Sequence, residues 1–177
     1  MSYDAIVDQL PIQCLVDVRG TPDAARALLG RAGLVPPSIP KSWAQNGGAG
    51  VAHVGPRRWL VMAPIEREAA LLASLPRHVD GASAVAVSDA FIGFSVTGPH
   101  AGDIIAQASP LDIHPLSFTA NGAAGTALFG QSALLLRRAA GFDCFVDASI
   151  ADYVADRFTR CHARLGSCFA RYQAAHA

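Results

Sequence analysis

The chain has 177 residues, a formal net charge of zero at pH 7 and an isoelectric point near 7.0, and no run of residues approaches the roughly 18 uninterrupted apolar positions of a membrane span. This balance gives no reason to expect a nucleic acid or an anionic membrane surface as a partner. A chain of this length builds one domain, or two small lobes that share a core.

The first half of the chain predicts two helices between four strands. The first helix begins after Gly20, where Thr21 caps free backbone amides, Pro22 suits the first turn, and Asp23 suits the positive end of the helix dipole. The second helix is predicted over residues 64–75. The four strands are predicted at residues 14–18, 50–54, 58–62 and 82–87. This β-α-β-β-α-β order is that of a ferredoxin-like unit.

The second half begins in the same way, with a strand at residues 91–96 and a helix after Gly98-Pro99. Its remaining elements are predicted as strands at 124–129, 132–138 and 142–146 and a helix at 149–163. The segments Leu15–Gly20 and Phe94–Gly98 form similar strand-to-helix corners, each followed by an alanine-rich helix, which favours a diverged duplication. We therefore predict an α+β fold of two ferredoxin-like lobes with antiparallel sheets, residues 1–89 and 90–177, in one compact unit.

The compartment and the surface can be predicted from composition. The first ten residues carry Asp4 and Asp8 and no basic start, so we expect no secretory signal. The four cysteines lack paired spacing, which favours free thiols in the cytoplasm. Charged residues make up 16% of the chain, against about 25% in typical soluble domains. An alanine-rich composition explains this value, and so does a surface that another subunit partly covers.

The loop from Pro110 to Phe118 holds the best candidates for a partner surface. Three large apolar side chains occur within six positions of a proline-bounded segment, and loops normally lie at the surface. His114 follows Asp112 by two positions, a pattern that fits a general base, but it fits equally a turn that Asp112 begins. We favour a structural or interface role. The interface candidates are Ile113, His114, Leu116 and Phe118.

Other chemical patterns are weak, so the sequence predicts no catalytic, cofactor-binding or metal-binding residue in this chain. Ser149 and Asp152 have the spacing of a helix cap, and no G-x-S-x-G elbow supports a hydrolase set that includes His162. Lys41 is the only lysine, and no dinucleotide-binding or Walker motif occurs. Another group contains residue types that bind metals but lacks the spacing of a zinc site: Cys161, His162, Cys168 and His176. Four arginines are candidates for a basic site that binds an anionic tail such as folate's glutamate: Arg57, Arg58, Arg137 and Arg138.

One ordered set of features from Phe91 to Tyr153 resembles a known family. Its members, in order, are the strand ending at Gly98-Pro99, the loop Pro110–Phe118, Gly122, Thr126, the strand that closes on Arg137, and Ser149–Tyr153. This order resembles that of the gamma subunit of heterotetrameric sarcosine oxidase, a short relative of the glycine-cleavage T-protein in the aminomethyltransferase family. The resemblance covers roughly residues 57 to 164.

The resemblance implies a T-protein-like fold and a role in an oxidoreductase complex. The complex oxidatively demethylates sarcosine to glycine and passes the one-carbon unit to tetrahydrofolate. It would carry FAD, FMN, NAD and tetrahydrofolate on its other subunits, so the implied partners are its alpha and remaining subunits. In the T-protein a catalytic aspartate and a pterin-binding glutamate act on folate. The usual Gly-aromatic-Glu setting of that glutamate is here Gly141-Phe142-Asp143, and the aspartate has no clear counterpart.

The resemblance therefore implies a non-catalytic gamma subunit that acts in assembly. One alternative is a free-standing folate-dependent aminomethyltransferase. Another is a scaffold subunit of a different flavin dehydrogenase complex for methylated amines.

Overall fold

The computed structural model describes residues 4–175, with side chains described as far as residue 165. Within this range the chain forms eleven β-strands, four α-helices and three short 3-10 turns. The strands are β1 (Ile6–Gln9), β2 (Gln13–Gly20), β3 (Trp43–Asn46), β4 (Ala49–Gly55), β5 (Arg58–Pro64), β6 (His78–Val79), β7 (Ala82–Ala86), β8 (Phe91–Thr97), β9 (Ala123–Leu128), β10 (Gln131–Arg138) and β11 (Gly141–Asp147). The helices are α1 (Pro22–Arg31), α2 (Glu68–Ser74), α3 (Ala101–Ala108) and α4 (Ala151–Ala175).

The strands form two antiparallel sheets. The first sheet has the order β3-β4-β5-β2-β7-β6, and the second has the order β1-β8-β11-β10-β9. In the first sheet, the strands that alternate with α1 and α2 take ferredoxin-like positions, with β7 beside β2. The predicted α+β class with two antiparallel sheets is therefore confirmed.

The N-terminal strand β1 belongs to the second sheet, where Ile6 lies opposite Thr97 and Gln9 opposite Phe94. The division at residues 89 and 90 places this strand in the first lobe, and the structure corrects that placement. Local sequence contains no signal for a pairing between segments so far apart. The sequence also did not predict the short strands β3 and β6.

The two sheets pack face to face, and the helices cover their outer faces. Apolar side chains of α1 and α2 pack on the first sheet, and those of α3 and α4 pack on the second. A third cluster joins the inner faces of the two sheets and consists of Leu15, Ala52, Leu60, Met62, Ala123, Leu134, Leu136 and Phe145. Strands buried on both faces explain the continuous apolar runs of the sequence.

Local signals at the start of α1 act as the sequence predicts. The Thr21 hydroxyl accepts a hydrogen bond from the amide of Ala24 at 3.3 Å, and Pro22 occupies the first helical position. The buried face of the helix consists of Ala25, Leu28 and Leu29. Among the helices of the described chain, none is both long and apolar enough to cross a membrane.

Candidate partner surface and interlobe cleft

The loop that follows α3 is a sequence of turns built by its own side chains. The Asp112 carboxylate accepts the amide of His114 at 3.0 Å, and the His114 ring accepts the amide of Leu116 at 3.3 Å through Nδ1. Hydrogen bonds from the Ser117 hydroxyl and the His114 amide lower the pKa of Asp112. These contacts give Asp112 and His114 roles in shaping the turn.

The loop presents Leu116 to solvent. Leu116 is 88% exposed and His114 is also exposed, whereas Ile113 is half-buried against the core of the second lobe. A large aliphatic side chain in this position would lose water from most of its surface if a partner covered it.

Phe118 does not lie on this surface and is only 4% exposed. Its ring packs into the core of the second lobe and lies 5.9 Å from the Arg137 guanidinium. Gly122 leaves room for it, since a Cβ at that position would come within 2.6 Å of the ring. The assignment of Phe118 to a partner surface is therefore wrong. A substitution Phe118→Asp would place a charge in this core and disrupt the fold, so it cannot serve as a test of an interface.

A cleft with a volume of about 590 Å³ lies between the lobes, close to this loop. Its walls come from the segment before β3, the end of β4, the end of the loop, and the start of β9. The lining residues are Ile39, Pro40, Lys41, Ser42, His53, Val54, Gly55, Pro56, Leu111, Ser117, Phe118, Thr119, Ala124 and Gly125.

Lys41 connects the two lobes through its backbone. Its amide donates to Nδ1 of His53 at 3.3 Å, and its carbonyl accepts the amide of Ala123 at 2.9 Å. Its φ of +56° lies in the left-handed region, where residues with side chains are uncommon. The two hydrogen bonds hold this conformation in place.

His53 is the titratable ring of the cleft. It lies against Trp59 with ring centroids 5.3 Å apart, and burial lowers its pKa. The ring is therefore neutral at pH 7. Because Nδ1 accepts the Lys41 amide, the ring proton is on Nε2, which is then a hydrogen-bond donor.

Two carboxylates on the strands are paired with arginines of the same sheet. Asp17 is 7% exposed and accepts Arg19 and Arg58, each at 2.9 Å. Asp143 accepts Arg138 at 2.5 Å. Asp143 is the residue that stands at the T-protein glutamate's position in the sequence pattern, and here its charge is compensated within the chain.

The four arginines considered as one basic spot have separate roles. The Arg138 guanidinium lies 4.0 Å from the Trp43 ring of the other lobe, and the Trp43 indole donates to the Arg137 carbonyl at 2.9 Å. The Arg137 side chain donates to the Ile113 carbonyl. Arg58 forms the ion pair with Asp17, and Arg57 is exposed. Three of the four thus support the fold.

The remaining candidates also have structural roles where the structure describes them. The Asp147 carboxylate accepts the Ser149 amide at 2.9 Å and its hydroxyl at 2.5 Å, and so caps the 3-10 turn Ala148–Ile150 that precedes α4. Cys161 is buried, and no group of three metal-binding side chains occurs among the described residues. The Cys168 side chain and His176 lie outside them.

Comparisons with known proteins support the fold. No protein-family model matches the sequence, and no curated protein matches it significantly. A chain of heterotetrameric sarcosine oxidase from Corynebacterium sp. U-96, solved with pyrrole 2-carboxylate, has a similar structure. Its TM-score is 0.80 with 20% sequence identity, over 92% of this chain and 85% of that one.

The glycine cleavage system aminomethyltransferase T from Bartonella henselae is also similar, with a TM-score of 0.65 and 15% identity. That match covers 87% of this chain and 45% of the aminomethyltransferase, so this chain spans less than half of that enzyme. The two likenesses confirm the predicted resemblance at the level of fold.

Proposed function

We propose that this chain is a non-catalytic gamma subunit of a heterotetrameric sarcosine oxidase complex and that it acts in assembly. The complex would demethylate sarcosine oxidatively to glycine and transfer the one-carbon unit to tetrahydrofolate. Its FAD, FMN, NAD and tetrahydrofolate would be bound by the alpha and other subunits.

The observation that carries this proposal is the extent of the structural match. The similar chain of the Corynebacterium sarcosine oxidase is matched over 85% of its length, whereas the aminomethyltransferase is matched over 45%. Similarity over nearly the whole of both chains favours an equivalent subunit more than it favours half of a larger enzyme.

The site geometry supports a structural role. Asp17 and Asp143 have their charges compensated by arginines, so neither is poised as a free base. Leu116 offers an exposed apolar contact beside the interlobe cleft. A stable interface around it would bury at least about 1,000 Å² in total.

The test is co-expression of the tagged full chain with the flavoprotein subunits of its source. We expect it to co-purify with a flavin-containing complex that produces peroxide when sarcosine is added. Purification of the chain without any flavoprotein would contradict the proposal.

The surface can be tested separately with Leu116→Asp and the matched control Ile12→Asp, because Leu116 and Ile12 are 88% and 64% exposed. Both variants should keep the melting temperature of the parent chain. Leu116→Asp should reduce the yield of the complex about tenfold, which corresponds to about 1.4 kcal/mol. Equal yields for the two variants would exclude Leu116 from the interface without bearing on co-purification itself.

The aminomethyltransferase fold supports one rival, a folate-dependent aminomethyltransferase that acts alone. Isothermal titration of the isolated chain with tetrahydrofolate distinguishes it, since the rival requires binding without any partner. A second rival is a scaffold subunit of another flavin dehydrogenase complex. Assaying the co-purified complex with several methylated amines tests it, because that complex would reduce its flavin with an amine other than sarcosine.

A further inference from the structure

We propose that the interlobe cleft binds a small molecule that combines a carboxylate with an apolar body. Its volume of about 590 Å³ falls within the range of roughly 300–1,000 Å³ that is usual for ligand pockets. Ligand binding in this cleft goes beyond the assembly role proposed above.

The walls of the cleft suit an apolar body. The apolar residues Ile39, Leu111 and Phe118 line it together with prolines and an alanine. Gly125 adds no side chain, and a Cβ placed there would meet only the Val54 carbonyl, at 3.9 Å. Apolar walls with a few polar groups are the usual composition of a small-molecule pocket.

The charge of the lining selects an anion. Among the described residues that line it, Lys41 and His53 are the titratable ones, and none is an aspartate or a glutamate. Asp112 lies near the rim, because it accepts a hydrogen bond from the lining residue Ser117, but that carboxylate is also bonded to the amide of His114. A carboxylate in the cleft thus meets a net positive lining.

Two residues of the lining carry donors of different kinds. Lys41 supplies an ammonium group, and its backbone is fixed by hydrogen bonds to both lobes at a φ of +56°. A residue held in this sparsely populated conformation is a recognised feature of binding sites. His53 supplies the neutral Nε2–H, because its Nδ1 already accepts the Lys41 amide.

The experiment uses two probes with the same apolar body, 4-phenylbutyrate and 4-phenylbutyramide. Binding to the isotope-labelled full chain is followed by backbone NMR shifts. We expect 4-phenylbutyrate to shift the resonances of the cleft lining and to bind about tenfold more tightly than the amide, the ratio for one charge-assisted hydrogen bond.

Lys41→Asn is the decisive variant, since asparagine tolerates the left-handed conformation and carries no charge. Arg57→Asn is its matched control, because Arg57 is an exposed cation with a φ of +58° that does not line the cleft. We expect Lys41→Asn to remove the preference for the carboxylate and Arg57→Asn to retain it. A bulky side chain in Gly125→Leu should weaken both probes.

Three results would overturn the proposal: equal affinity for the two probes, equal affinity of the two asparagine variants for 4-phenylbutyrate, or no binding at millimolar probe. All measurements use the chain without partners. They are therefore independent of whether a flavoprotein complex forms.

Discussion

Gly98, at the corner between β8 and α3, is a position where a substitution should lower stability for two separate reasons. Its φ of +99° is rare for residues with side chains. A Cβ there would lie 2.9 Å from the Asp4 carbonyl oxygen. That carbonyl accepts the His100 amide at 3.1 Å, and the Asp4 amide donates to the His100 ring at 3.0 Å. Gly98→Ala must therefore displace the start of the N-terminal strand.

The expected loss follows from these two costs. A strained backbone conformation costs on the order of 1–3 kcal/mol, and each displaced hydrogen bond costs about 1 kcal/mol net. We therefore expect Gly98→Ala to lower the free energy of unfolding by about 3 kcal/mol. For a chain of 177 residues this lowers the melting temperature by roughly 6–12 °C.

Two control variants separate the costs in urea unfolding followed by circular dichroism. Gly130 has a φ of +82° with no neighbouring atom within 4 Å of an added Cβ, so Gly130→Ala should lose only the strain energy, about 1–2 kcal/mol. Gly30 lies open in α1 without positive φ, and Gly30→Ala should gain about 0.5–1 kcal/mol. If Gly98→Ala is no worse than Gly130→Ala, the N-terminal segment is not held against this corner.

Three further predictions concern buried or paired groups. Asp17→Asn should lower the free energy of unfolding by about 1–2 kcal/mol in chemical denaturation. The loss is modest because the partner Arg58 is 42% exposed. An unchanged denaturation midpoint would show that the ion pair does not stabilise the fold. Burial raises the pKa of the Cys14 and Cys144 thiols, so a thiol reagent at pH 8 should label them only when the chain unfolds. Mass spectrometry measures the labelling, and rapid labelling of the native chain would contradict their burial. Hydrogen bonds from Ser149 lower the folded-state pKa of Asp147, so Asp147→Ala should be less stable than the parent chain at pH 7. The difference in unfolding free energy should disappear as the pH falls through that pKa, below 3.8. A difference that does not change with pH would exclude the carboxylate as its cause.

Elements with strong local signals could be predicted from the sequence. Thr21 and Pro22 define the start of α1 through a side-chain cap and a fixed φ, and both depend only on neighbouring residues. The strands of the second lobe were also found, because their apolar runs are separated by glycine-containing turns. The strand β1 could not be found, because its four residues gain their stability from β8, more than 80 positions away.

The site was less accessible to sequence reasoning than the fold. Prolines predict that the segment around Phe118 is a loop, but they do not determine which side chains turn inward. The inward turn depends on the room left by Gly122 and on the Arg137 guanidinium, which lies on a different strand. Lys41 was noted only for being the sole lysine, since its left-handed φ has no signature in its neighbours.

The duplication predicted from the two strand-to-helix corners becomes clearer once β1 is counted with the second sheet. The order β7-β2-β5-β4-β3 of the first sheet then corresponds, position by position, to the order β1-β8-β11-β10-β9 of the second. Both β2 and β8 lead through a glycine into a helix, as the sequence indicated. The first lobe obtains the strand beside β2 from β7, which follows α2, whereas the second obtains the strand beside β8 from the start of the chain. Each lobe thus follows the same plan, but the second cannot complete its sheet without residues that precede the first. This exchange, together with the shared core between the sheets, makes the two lobes one folding unit.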